Sequence, residues 1–77
     1  MEPQKFVENF AAQFEESDPS SFSPETKFRD LEDWSSFAAL SIIAMVDEIY
    51  NIKITGDDIR KSNTVKEIFN IVESKMK

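Results

Sequence analysis

The sequence contains no cysteine and no histidine, and these absences exclude several common active-site chemistries. Without cysteine there are no disulfides and no thiolate metal sites. Without histidine, zinc binding and imidazole acid–base catalysis are excluded as well. A hydrolase with a serine nucleophile is disfavoured, because the chain also lacks a glycine-built oxyanion loop.

Glycine and proline are scarce, with one glycine and three prolines, and the prolines (Pro3, Pro19 and Pro24) all lie in the first third. This distribution favours helices joined by a few loops over a β protein with many turns. Seventy-seven residues allow one domain, residues 1–77, and a domain of this size buries only about 60% of the surface of its unfolded chain.

The chain also lacks a long apolar run and an excess of basic residues. Its longest apolar stretch, Phe37 to Val46, is interrupted by Ser41 and is too short to span a bilayer. Glu2 and the absence of an uninterrupted apolar segment near the start argue against a signal peptide, so we expect a soluble cytoplasmic protein without membrane insertion. The net charge of −6 argues against nucleic acid as a partner. Residues 30–58, with seven acids and one base, carry the whole imbalance.

Apolar residues at helical spacing predict a first helix over roughly residues 2–17 and a second from Ser35 or Ser36 to Tyr50. A loop of residues 18–33 separates them. The first helix has an apolar face that consists of Phe6, Val7, Phe10, Ala11 and Phe14. The residues expected to anchor the loop are Phe22, Phe28, Leu31 and Trp34.

The last third of the sequence predicts two further helices. GDDIRKS (residues 56–62) fits a short third helix, and a fourth begins at Asn63 or Thr64, where Thr64 and Glu67 fit a capping box. The apolar face of the fourth helix consists of Val65, Ile68, Phe69, Val72 and Met76. The predicted fold is therefore all-α, a small bundle of three long helices and one short helix with a long first loop.

The second helix is apolar on two faces when its residues are placed about 100° apart. The face expected in the core consists of Ile42, Met45, Val46 and Ile49, with Ile43 and Tyr50 at its edge. On the opposite side lies the apolar ridge, defined as Phe37, Leu40 and Ala44, which is rimmed by Asp47 and Glu48. Two interpretations remain open: the long loop buries the ridge, or a partner protein covers it.

The serine pair in WSSF (residues 34–37) also has two interpretations. A serine just before an apolar periodic run usually accepts a hydrogen bond from an unpaired backbone N–H at the helix start. If Ser35 has this role, Ser36 is the first helical residue and its hydroxyl points outward. A phosphate on that hydroxyl would lie at the positive end of the helix dipole. The two interpretations are therefore that both serines are capping groups, or that one of them is a point of covalent attachment.

From Phe28 to Ile71 the sequence resembles the acyl carrier proteins of the phosphopantetheine-binding family. TKFRDL resembles the approach to the family's Asp-Ser-Leu motif, WSSF stands at the motif, and LSIIAMVDEIYNIKIT resembles the second helix and its exit. DDIRKSNTVKEIFNIV resembles the third and fourth helices. The resemblance implies a four-helix carrier with 4′-phosphopantetheine, derived from coenzyme A, on Ser36; Ser35 is the less favoured position.

The resemblance further implies a monomeric carrier that is not an enzyme. Its partners would be a phosphopantetheinyl transferase and the enzymes that load and transfer acyl or aminoacyl groups. By the same resemblance, the ridge and its acids match the positions through which carriers of the family dock on such enzymes: Phe37, Leu40, Ala44, Asp47 and Glu48. The implied cargo is a thioester intermediate of fatty-acid, polyketide, aminoacyl or cell-surface polysaccharide biosynthesis.

The sequence departs from the family pattern at three positions of this region. Ser35 replaces the usual Asp, Phe37 replaces the usual Leu, and Ser41 stands where an acid is common. Trp34 resembles atypical and peptidyl-type carriers more than the fatty-acid type. The main alternative is an unmodified helical interaction module of the same fold. A calcium sensor is a weaker alternative. A calcium loop with Gly56 as its sixth residue would place Asn51, Lys53 and Thr55 at ligand positions, and these three are a poor set of calcium ligands.

Overall fold

The computed structural model describes residues 2–14 and 17–76, and every regular element within them is helical. The α-helices are α1 (Pro3–Ala11), α2 (Ser36–Met45), α3 (Gly56–Arg60) and α4 (Val65–Lys75). Two 3₁₀ turns, Pro19–Ser21 and Phe28–Asp30, lie in the loop before α2, and a π-helical turn, Val46–Tyr50, follows α2 directly. Helices α1 and α3 each contact both α2 and α4. The predicted small all-helical bundle is confirmed.

The phenylalanines of the first helical segment form the centre of the core, as their spacing predicts. The Phe6 ring lies 5.6 Å from that of Phe69, and the Phe10 ring lies 5.8 Å from that of Phe28. Phe14 is also buried, although α1 ends earlier than the predicted residue 17. The Phe14 N–H donates to the carbonyl oxygen of Ala11 (3.0 Å). The backbone after α1 therefore continues as a tighter 3₁₀-type turn, in which the hydrogen bond joins residues three apart. Residues 15 and 16, also predicted as helical, lie outside the described residues.

The long loop is held to the bundle by side chains and by its backbone. Phe22 and Phe28 are buried, and Leu31 and Trp34 are half-buried against the core, as predicted. The backbone contribution appears at the start of α4. There the N–H groups of Val65 and Lys66 donate to the carbonyl oxygens of Thr26 (3.1 Å) and Pro24 (2.9 Å). The loop therefore satisfies two N–H groups that have no partner within their own helix.

The π-helical turn changes which residues of the second helical segment face the core. Ile42, Met45 and Val46 are buried as predicted, but Ile49 is 52% exposed, so its assignment to the core was wrong. A π turn contains more residues than an α turn and advances by a smaller angle per residue. The side chain of Ile49 is therefore rotated away from the core, and Tyr50 faces it instead, 5.7 Å from the Phe6 ring.

Capping side chains define the starts of the last two helices. Thr64 and Glu67 form the predicted capping box of α4, and Thr55 and Asp58 form a second one at α3. The predicted apolar face of α4 is buried except for Met76, which is 48% exposed because it follows the last helical residue, beyond the buried part of α4. No helix in the described part of the chain is both long enough and apolar enough to cross a membrane.

Candidate functional site

The two adjacent serines have different roles at the start of α2. Ser35 has an extended backbone (φ −160°, ψ 173°), and its hydroxyl oxygen accepts a hydrogen bond from the Ala38 N–H at 3.2 Å. Ser36 is the first helical residue and is exposed. Its hydroxyl makes no hydrogen bond to the described residues, so the capping role falls to Ser35 alone, and the Ser36 hydroxyl is accessible to a reagent from solvent.

The segment before the serines is fixed to the rest of the molecule. The Trp34 ring lies 4.8 Å from the Phe28 ring and is stacked on Phe14 at 6.2 Å. One residue earlier, the carboxylate of Asp33 accepts a hydrogen bond of 2.7 Å from the Ser17 hydroxyl. These contacts hold both sides of the loop close to the start of α2, so the position of Ser36 depends on the packing of Phe28 and Trp34.

The apolar ridge is exposed to solvent. Phe37 is 78% exposed and Leu40 63% exposed, and Ala44 is exposed beside them. The interpretation that the long loop buries the ridge is therefore wrong, because Phe22, Phe28 and Trp34 direct the loop onto the core side of the bundle. An exposed apolar surface of this kind, rimmed by charge, is typical of a protein interaction site.

The acidic rim of the ridge is available to a basic partner. Asp47 and Glu48 are both exposed, and the Asp47 carboxylate lies 3.9 Å from Nζ of Lys53. That ion pair is largely solvated, so it contributes little to stability and a basic side chain from a partner could replace Lys53. Ile49, turned outward by the π-helical turn, borders the same surface near Ala44 and Ser41.

A groove of about 570 Å³ separates the start of α2 from α3. Its apolar lining consists of Trp34, Ala39, Leu40, Ile43 and Ile59. Its polar lining consists of Arg29, Ser35, Ser36 and Arg60. The groove is therefore next to the accessible hydroxyl of Ser36 and presents apolar surface beside it.

Arg29 caps the C-terminal end of α3 from the long loop. Its guanidinium donates hydrogen bonds to the carbonyl oxygens of Ile59 (3.0 Å), Arg60 and Ser62. Sequence analysis missed this role, since the residues joined are about thirty positions apart and no local pattern connects them. The capping box of Thr55 and Asp58 was also missed, although the spacing Thr-x-x-Asp resembles the signal that identified Thr64 and Glu67.

The second arginine of the groove is engaged differently. Arg60 forms an exposed ion pair with Asp57, and the hydrogen bond and charge of its guanidinium hold the pKa of the Asp57 carboxyl below its ordinary value. Arg29, by contrast, has no carboxylate partner within 4 Å among the described residues. The two arginines of the groove thus differ in whether their charge is balanced.

Comparisons with known proteins add no assignment to this geometry. No family model, no curated protein and no solved structure matches the chain.

Proposed function

We propose that this chain is an acyl carrier protein, with 4′-phosphopantetheine linked to the hydroxyl of Ser36. The observation that carries the proposal is the hydroxyl of Ser36 at the first residue of α2, which is exposed and makes no hydrogen bond within the described part of the chain, while Ser35 supplies the cap. Capping by Ser35 does not account for the second hydroxyl, which lies beside a groove and an exposed ridge. The resemblance of residues 28–71 to carrier proteins supports the same assignment.

The residues around Ser36 fit such a group. A phosphodiester on the Ser36 hydroxyl would lie at the N-terminal end of α2, where the helix dipole favours negative charge. In the modification, Ser36 Oγ forms a bond to phosphorus of the coenzyme A pyrophosphate, and the bond to the departing adenosine bisphosphate breaks. The transferase takes the hydroxyl proton. When attached, the thiol of the arm holds acyl or aminoacyl groups as thioesters.

The proposal is tested by incubating the purified chain with coenzyme A and a phosphopantetheinyl transferase of broad specificity. We expect the intact mass to increase by one phosphopantetheinyl group, and fragmentation to place it on Ser36. An unchanged mass with several such transferases would contradict the proposal and favour the unmodified interaction module, for which the exposed ridge alone would suffice.

The acidic rim of the ridge should control how fast the transferase recognises the carrier. Replacing both Asp47 and Glu48 with lysine should lower the modification rate about tenfold or more at low ionic strength, because charge steering accelerates the encounter of oppositely charged proteins. The difference should shrink as salt is added. The rate is measured by mass spectrometry over time.

A matched control separates steering by these two acids from the effect of net charge. Glu8 and Glu25 are exposed, lie on α1 and the long loop, and line grooves to which no residue of the ridge contributes. Replacing both with lysine raises the net charge of −6 by four units, as the double variant of Asp47 and Glu48 does. This control should nevertheless change the modification rate much less. Equal rates for the two double variants at low salt would show that the ridge is not the docking surface.

A further inference from the structure

The groove between α2 and α3 combines an apolar lining with one guanidinium that has no carboxylate partner among residues 2–14 and 17–76. Leu40, Ile43 and Ile59 line it, and Ser36 and Arg29 lie on its walls. Arg29 is exposed at the edge of this groove, and a charge at a protein surface still interacts more strongly with an opposite charge than it would in bulk solvent. The groove is thus suited to a group that has both apolar and anionic parts.

Arg29 is held in a defined position and still has donors to offer. One of its terminal nitrogens donates to the carbonyl oxygens at the end of α3, and its guanidinium carbon lies 5.6 Å from the centre of the Phe28 ring. The N–H groups on its other two nitrogens have no acceptor among the described residues. A guanidinium keeps its charge at all ordinary pH values, and its planar fork matches an oxyanion.

We infer that Arg29 and the groove form a binding site for an anionic group tethered to Ser36. This inference rests on the proposed function. The anion is an oxyanion with one of two sources: the phosphodiester of the arm, or a carboxylate at the far end of a dicarboxylic acyl cargo. Arg60 contributes less, because its charge is already balanced by Asp57.

The anion site can be tested without any transferase, since the chain has no cysteine and a Ser36→Cys variant has a single thiol. The thiol is labelled through a disulfide with a sulfonatoethyl group or with a neutral hydroxyethyl group of similar size. We expect the sulfonate to raise the Tm above that of the neutral label by roughly 2 to 4 °C, as for a partly solvated ion pair.

Variants of the two arginines separate this effect from the helix dipole, which favours any anion at the start of α2. In Arg29→Gln the Tm difference between the sulfonate and the neutral label should fall to the part that the helix dipole accounts for. In Arg60→Gln the full Tm difference should persist. An advantage that is the same in Arg29→Gln and in the parent, or no advantage at all, would overturn the inference.

NMR provides a readout that keeps Arg29 in place, in case Arg29→Gln fails to fold. The chain has two arginines, so the spectrum contains two Nε–H signals, and Arg60 serves as the internal control. We expect the sulfonate to shift the Arg29 signal more than the neutral label does, with a smaller change at Arg60. Equal shifts of the Arg29 signal with both labels would overturn the inference.

The same signals distinguish the two sources of the anion in the modified protein. A shift of the Arg29 signal on attachment of the unloaded arm identifies the phosphodiester. A shift with a succinyl cargo but with neither a butyryl cargo nor the unloaded arm identifies the carboxylate. No shift in any of these forms would overturn the inference for the carrier. Failure of the transferase to modify Ser36 would instead contradict the proposed function, and the labelled Ser36→Cys protein would still decide the anion site.

Discussion

Replacing Ser36 with alanine should abolish attachment of 4′-phosphopantetheine while leaving the fold intact. The variant lacks the hydroxyl that would form the phosphodiester, and the neighbouring hydroxyl of Ser35 is directed to the Ala38 N–H. Ser36 is exposed and begins a helix, and alanine is the most favourable helix former, so stability should hardly change. Intact mass after incubation with coenzyme A and transferase measures the loss, and circular dichroism checks the fold.

Alanine at Ser35 is the matched control, because it removes a hydroxyl one residue away. Loss of this capping group should reduce the free energy of unfolding by about 1 kcal/mol, which lowers the Tm by roughly 4 to 8 °C in a domain of this size. The variant should still gain the mass of the arm well below its Tm. The reverse pattern, with modification lost in Ser35→Ala and retained in Ser36→Ala, would move the attachment site to Ser35.

Replacing Phe28 with alanine should strongly reduce stability. Phe28 is fully buried, and its ring contacts those of Trp34 at 4.8 Å and Phe10 at 5.8 Å. Removal of a buried phenylalanine ring costs about 3 to 5 kcal/mol. A chain of 77 residues has a total stability of about 4 to 12 kcal/mol, so the substitution should remove between about a quarter and all of the free energy of unfolding. Urea denaturation followed by circular dichroism measures the change.

Phe37 provides a control with the same chemical change on the surface. Its side chain is 78% exposed, so Phe37→Ala should change the free energy of unfolding by no more than about 0.5 kcal/mol. The two variants should also differ in function. Phe37→Ala should slow modification without unfolding, whereas Phe28→Ala should reduce modification both by unfolding the chain and by loss of the packing that positions Ser36. A destabilisation of Phe37→Ala comparable to that of Phe28→Ala would contradict the described packing of the ridge.

Local sequence patterns predicted the helical fold but left the start of α2 at either Ser35 or Ser36, and the structure assigns the cap to Ser35. The spacing of Phe6, Phe10 and Phe14 predicts one buried face because side chains three or four residues apart lie on the same side of a helix. Capping depends on residues at most three positions apart, so Thr64 with Glu67 indicated the start of α4, and Ser35 was one of the two candidates for the start of α2. An outward hydroxyl at Ser36 follows from the same local geometry.

Only the tertiary structure decided which apolar surfaces are left uncovered. Helix α2 is apolar on both sides, and its periodicity cannot reveal that the loop packs elsewhere and leaves Phe37 and Leu40 exposed. The outward position of Ile49 depends on a π-helical turn, which a constant angle per residue does not anticipate. The contact of Arg29 with α3 joins residues far apart in the sequence. Periodicity and capping describe neighbours along one segment, whereas burial and long-range contacts depend on which segments meet.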